Sequence, residues 1–238
     1  MQSWFGKTTD ITFEVFEMNH IIMISIHVIG SLLLFNLGKR LSSRTQHFIR
    51  WGLLCTLILS EISYQVWGIY NGAWNPREFL PFQLCSIAGI IAMFALYSKN
   101  IKLIQLLFFI GIIPSILTVL TPELHHGFPH FRFWQFFIHH IVLTWASIFL
   151  TISFNVRISL IITIEIYIYL LVYAGFIGFL INPIFNANYL FLANTPRANT
   201  PLGLLGSGLS YYVNLCLIGL GVFLLLFVFY KLFVRLIK

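Results

Sequence analysis

Charge is what this sequence has least of. Only 9% of its 238 residues are Asp, Glu, Lys or Arg, whereas a soluble domain carries about 25%. Hydrophobic residues make up 59% and mean hydropathy is +0.90. A folded soluble enzyme is excluded, and a polytopic membrane protein is implied. Cysteine is also scarce. Cys55, Cys85 and Cys216 all fall in apolar stretches, so neither a disulfide framework nor a paired-cysteine zinc site is suggested. The first 18 residues hold Asp10, Glu14 and Glu17 against one Lys7, which argues against a cleavable signal peptide. There is no internal repeat of the inverted-transporter kind, no low-complexity tract and no soluble domain. The net charge of +7 sits in short loops. It reads as a topology signal and not as a nucleic-acid footprint.

What is present is a series of apolar spans. Seven are drawn, at about 19–37, 51–70, 80–97, 103–120, 133–154, 158–181 and 209–230, forming one transmembrane helical domain over 1–238. One set of loops carries Lys39, Arg40, Arg44, Arg50, Lys99, Lys102, Arg157, Lys231, Arg235 and Lys238. The other carries Lys7, Arg77, Arg132 and Arg197. Basic loops stay in the cytoplasm, so the expected arrangement has the N-terminus outside and the C-terminus cytoplasmic, in the cell membrane. The expected outer loops are the longer ones. They include 182–208, with Pro183, Pro196 and Pro201, and loops of that length are often lids or binding segments.

Depth then sorts the polar residues. A helix advances 1.5 Å per residue. On that count Gln83 and Cys85, His139 and His140, His27, Glu61 and Gln65, and Tyr211, Tyr212 and Asn214 share one layer, about 5–14 Å below the outer helix ends. The inner half holds far fewer polar groups, so an outward-opening pocket is expected. The adjacent His139 and His140 are the centre of interest, since a polar ring in a membrane helix is costly without a partner. They lie about 100° apart on a helix, so only one can face a given site. The plainer alternative is a helix–helix hydrogen bond. Cys85 alone reads as a small buried hydrophobe, but beside a histidine it is a nucleophile with a general base. Glu61 at mid-span either orients a histidine or is protonated and merely hydrogen-bonded. His125, His126 and His130 crowd a loop with Glu123. Gly127 and Pro129 favour a gating surface loop there over zinc ligation, and no metal or cofactor is expected.

Several short motifs carry a resemblance. Pro81-Phe82-Gln83-Leu84-Cys85, Thr121-Pro122-Glu123-Leu124 with His126-Gly127, the His139-His140 pair, and Asn188-Tyr189 followed by Thr195-Pro196 occur in this order. The pattern resembles the YwaF-type bacterial membrane proteins grouped with the transmembrane protein 164 acyltransferases, over about residues 80–199. The resemblance implies several membrane spans and phospholipid acyl transfer through a Cys and a His. It matches His140 to the catalytic histidine. The nucleophile position of the animal pattern falls on Phe82, with Cys85 nearly one turn on. A related hydrolase family uses a Thr–His pair, and no Thr occupies the matching stretch. The expectation is an all-α bundle that handles acyl groups, with His140 as base, Cys85 as nucleophile and Glu61 or Gln83 orienting. Gln83, His139, His27, Asn188, Tyr189, Tyr211 and Asn214 are the expected substrate-binding residues, and membrane lipids the partners. The competing readings are a transporter or lipid-binding protein, and a lipid hydrolase.

Overall fold

The computed structural model describes residues 2–195 and 201–236. Pro196, Arg197 and Lys238, which enter the motif and charge arguments, lie outside the described residues. Among the described residues the regular elements are helices, with one isolated bridge between Thr12 and His126. A short α1 (Gln2–Phe5) precedes α2 (Met18–Leu37), α3 (Ser43–Tyr70) and α4 (Leu84–Ser98). Then come α5 (Ile101–Gly111), α6 (Ile113–Leu120), α7 (Phe131–Ser153), α8 (Leu160–Phe176), a π-helical turn (Ile177–Ile181), α9 (Asn182–Phe185) and α10 (Gly208–Leu236). Among the described residues six helical stretches are long and apolar enough to cross a membrane. The expected third span is shorter than drawn. Its helix begins at Leu84 and has 15 residues, about 22 Å, because the chain at Pro81–Gln83 is still turning.

Two other spans differ from the reading for local reasons. The second starts eight residues earlier than residue 51. Ser42 caps it by accepting from the Thr45 N–H, and Arg50 is buried, donating to the Leu96 carbonyl at 2.8 Å. An arginine that closes the open carbonyl end of α4 is tolerated within a helix. The fourth span breaks at Ile112, whose ψ is −75°, two residues before Pro114. Proline supplies no N–H to a continuous helix, so α5 and α6 form one bent span, Ile101–Leu120.

The centre is α7, which packs against α2, α3, α4, α5 and α6. Of its most apolar window 72% is buried, against 11% for α10. Its buried hydroxyls bond back along the helix: Thr144 to the His140 carbonyl, Ser147 to Leu143 and Thr151 to Ser147. They fill the interior without needing partners from neighbouring helices. The outer pair α8 and α10 joins the bundle through Phe223, stacked on Phe109 of α5, and through the Tyr230 hydroxyl, which donates to the Val156 carbonyl. Outward faces are apolar, as with Ile29, Leu32, Ile161, Val172 and Leu217. Exposed apolar area of that extent is suited to lipid.

Candidate functional site

The ends of the bundle differ. One carries Lys39, Arg40, Lys99, Lys102 and Arg157 between short turns. The other carries the longer loops, and the polar interior lies just beneath it. There the 100° between His139 and His140 sends the two rings to different neighbours.

His139 faces α3 and α4. Its Nδ1 lies 3.4 Å from Ser60 Oγ. The ring sits over Gly89, where a Cβ would come within 3.0 Å of it, beside the Cys85 backbone carbonyl and within electrostatic reach of Glu61. From Ser60 the chain of contacts continues: Gln135 Nε2 donates to Ser60 Oγ at 3.2 Å, and Arg132 donates to Gln135 Oε1. The Arg132 guanidinium lies over Tyr64, 4.2 Å from the ring centroid, and 5.4 Å from that of Trp67. Arg132 was counted above only as a loop charge, and Ser60 and Gln135 were not singled out. The spacing Arg132–Gln135–His139 is i, i+3, i+7, one stripe of a helix, and that is the signal that finds them.

His140 is turned about 100° from His139 around the helix and lies within electrostatic reach of His27 of α2. Its Nδ1 lies 2.7 Å from the Phe136 carbonyl of its own helix. A carbonyl only accepts, so Nδ1 carries the proton and Nε2 presents a lone pair. His27 is 4% exposed, and its Nε2 has no hydrogen-bond partner. A buried polar group left so costs about 1–3 kcal/mol. Its place is set by backbone packing. Trp145 of α7 donates to the His27 carbonyl at 3.3 Å and lies against Gly30, where a Cβ would meet the indole at 2.1 Å.

Cys85 Sγ lies 3.6 Å from Thr118 Oγ1 of α6, with Ser115 also beside it. Thr118 gives its own proton to the Pro114 carbonyl at 2.9 Å. The thiol is therefore the donor to Thr118. Among the described residues no hydrogen bond joins Cys85 to His140. Phe82 points elsewhere, its ring against Tyr189 and its carbonyl taking the Tyr173 hydroxyl. Glu61 accepts from Gln65, which also donates to the Phe79 carbonyl.

The remaining residues expected to bind substrate hold a loop. Gln83 accepts from the Leu190 N–H, Tyr211 donates to the Phe191 carbonyl and Tyr212 to Leu192. Asn214 donates to the Leu205 carbonyl, and Asn188 accepts from Ala193 and Asn194. Tyr189 donates to the Pro76 carbonyl at 2.6 Å. Burial pushes its phenol up to about 12, which keeps it a donor. Leu190 and Phe191 have φ of 58° and 54°, a strained backbone that these bonds hold in place.

The loop histidines hold a strap. His126 Nε2 donates to the Lys7 carbonyl and His130 Nε2 to Gly6, while Trp67 donates to Phe5. Among the described residues no group of three or more His, Cys, Asp or Glu side chains is arranged to hold a metal ion.

A bundle of membrane-spanning helices around a buried histidine pair defines an integral, multi-pass membrane protein. The sequence profile of the TMEM164 family matches residues 15–232, and the chain belongs to that family. The match extends well past the stretch that carries the short motifs. No curated protein and no solved structure matches the chain.

Proposed function

We propose that this protein is an acyl-handling membrane enzyme, a phospholipid acyltransferase, with His140 as its base. The observation that carries the reading is the fixed tautomer of His140: Nδ1–H is held by the Phe136 carbonyl, leaving the Nε2 lone pair for a proton. A general base requires that arrangement. The resemblance to the transmembrane protein 164 acyltransferases supplies the reaction class. The lipid's acyl chain lies between helices and its ester reaches the polar layer. Cys85 turns from Thr118 about χ1, and its thiol proton passes to His140 Nε2. The sulfur attacks the acyl carbonyl, and His140 returns the proton to the departing lysolipid oxygen. A second alcohol then gives its proton to His140 and takes the acyl group from sulfur, and the departing thiolate takes that proton back from His140. Glu61 acts through His139, as the carboxyl group within electrostatic reach of that ring.

A second reading has one observation in its favour. The Cys85 thiol is bonded to Thr118, and among the described residues no thiol or hydroxyl is bonded to His140 Nε2. A water activated by His140 would make the protein a lipid hydrolase. Purified protein treated with a lipid-like fluorophosphonate probe separates these readings, when paired with release of fatty acid from labelled phosphatidylcholine. Labelling lost in both Cys85→Ala and His140→Ala, with folding intact, supports acyl transfer. Fatty-acid release that survives Cys85→Ala but not His140→Ala supports the hydrolase. Neither signal in the wild type leaves a lipid-binding or transport role.

A further inference from the structure

Two histidines on α2 use their rings differently. His20 is fully satisfied: Nδ1 accepts from the Phe16 N–H at 2.9 Å, and Nε2 lies 2.7 Å from the Val119 carbonyl of α6. His27, two turns on, is 4% exposed with Nε2 bonded to nothing. Ser115, one turn before Val119 on α6, is 0% exposed, and its Oγ has no hydrogen bond of standard geometry. Native interiors hold few such atoms. A histidine that served only to fasten helices would take a carbonyl, as His20 does.

Where these two atoms sit gives them a use. His27 lies within reach of His140, and Ser115 stands beside the Cys85 thiol. The two come from helices that pack on each other, α2 and α6, on the sides of the base and the thiol. The stacking of Trp145 on Gly30 fixes the His27 backbone, so the ring is placed before any ligand arrives. Donors placed before the ligand arrives, the His27 ring with Nε2 unbonded and Ser115 resting only against the Cys85 thiol, are what developing negative charge requires.

We infer that His27 Nε2–H and Ser115 Oγ–H are the paired donors that hold the oxyanion formed on the acyl carbonyl. The inference rests on the acyl-handling reading and assigns the electrophilic side of that site. As the nucleophile bonds to the carbonyl carbon, the C=O π pair moves to oxygen, and the nucleophile's proton goes to His140. The two donors hold the resulting O⁻ without transferring a proton to it. When the C=O re-forms, the lysolipid oxygen leaves with the proton from His140. The same geometry serves whether the nucleophile is the Cys85 thiol or water.

The test is a dodecyl trifluoromethyl ketone, which forms a tetrahedral adduct read by fluorine NMR without turnover. Dodecyl methyl ketone serves as a ligand of the same chain that does not hold the adduct. Removing one such donor costs about 10²–10³-fold in comparable sites. The adduct is expected to weaken by about that factor in His27→Ala, and by less in Ser115→Ala. Affinity for the methyl ketone stays unchanged. His27→Gln keeps an N–H donor and is expected to recover part of the loss. Adduct affinity unchanged in both alanine variants overturns the inference alone. Equal loss for both ketones also overturns it, by showing a packing role. Absence of any adduct in the wild type removes the acyl-handling reading, and the inference with it.

Discussion

Two sets of polar residues lie toward the same end of the bundle, and their hydrogen bonds set them apart. Around the described part of the loop after α9, a set of polar side chains is bonded to backbone. Gln83, Asn188, Tyr189, Tyr211, Tyr212 and Asn214 all hold main-chain groups of this loop or of Pro76. In the histidine cluster the pattern reverses. His140 keeps one nitrogen unbonded by the described residues, and His27 Nε2 and Ser115 Oγ are buried without standard partners. Satisfied groups shape a structure, whereas preorganised unsatisfied ones await a ligand. The presence of polar residues at one depth does not discriminate between the two.

The sharpest way to break this contrast is at His140. His140→Ala is expected to reduce any acyl transfer or lipid hydrolysis by about 10²–10⁴-fold, the usual weight of a general base, with the thermal unfolding midpoint nearly unchanged. Equal losses of activity and stability would place His140 with the structural set. Next in size is Gly30→Leu. The Cβ would meet the Trp145 indole at 2.1 Å, and overpacking of this kind costs about 1–3 kcal/mol. A lowered midpoint in detergent unfolding checks it, and His27 should be displaced with α2.

Tyr189→Phe tests the loop side. It removes one hydrogen bond, to the Pro76 carbonyl, worth about 0.5–1.5 kcal/mol. The expected result is faster proteolysis within the loop and no change in trifluoromethyl ketone binding. The smallest effect concerns the strap. Burial, ahead of other causes, holds His126 and His130 below their ordinary range. The folded state therefore favours the neutral rings. Above the unfolded value of about 6.5 both states are neutral and stability is flat with pH. As pH falls through 6.5 the unfolded chain takes protons that the folded state resists, and stability drops. Protonation of His130 Nδ1 also removes the acceptor for the Arg132 N–H. Hydrogen exchange in residues 5–13 is expected to rise below pH 6.5 and to lose that dependence in the His126→Gln, His130→Gln double variant.

The sequence made the bundle legible because an apolar run of span length has one reading in a chain so poor in charge. It marked the histidine pair for the same reason. It did not show which ring faces which helix. That depends on the rotation of α7, and the outcome is His139 against Gly89 and His140 toward His27. Gln83, Tyr211 and Asn214 are bonded to the backbone of the loop after α9. Their partners are backbone carbonyls and N–H groups, which every residue carries and which leave no mark on a sequence. Arg132 was hidden by its position at a helix start, where a topology count treats it as loop charge.

The strap also bears on the order in which the protein is made. Phe13 N–H donates to the His125 carbonyl, Gly127 N–H to Ile11, and Phe5 stacks on Phe131. Those partners leave the ribosome more than a hundred residues after the strap itself. During synthesis the first stretch of chain has the Trp67 bond to Phe5 but lacks its other docking partners until the bent α5–α6 span and the turn before α7 have followed it. A protease site placed near Asp10 is therefore open on nascent chains ending before α7 and closed on longer ones. That makes the N-terminal segment a clock for assembly of the central helix.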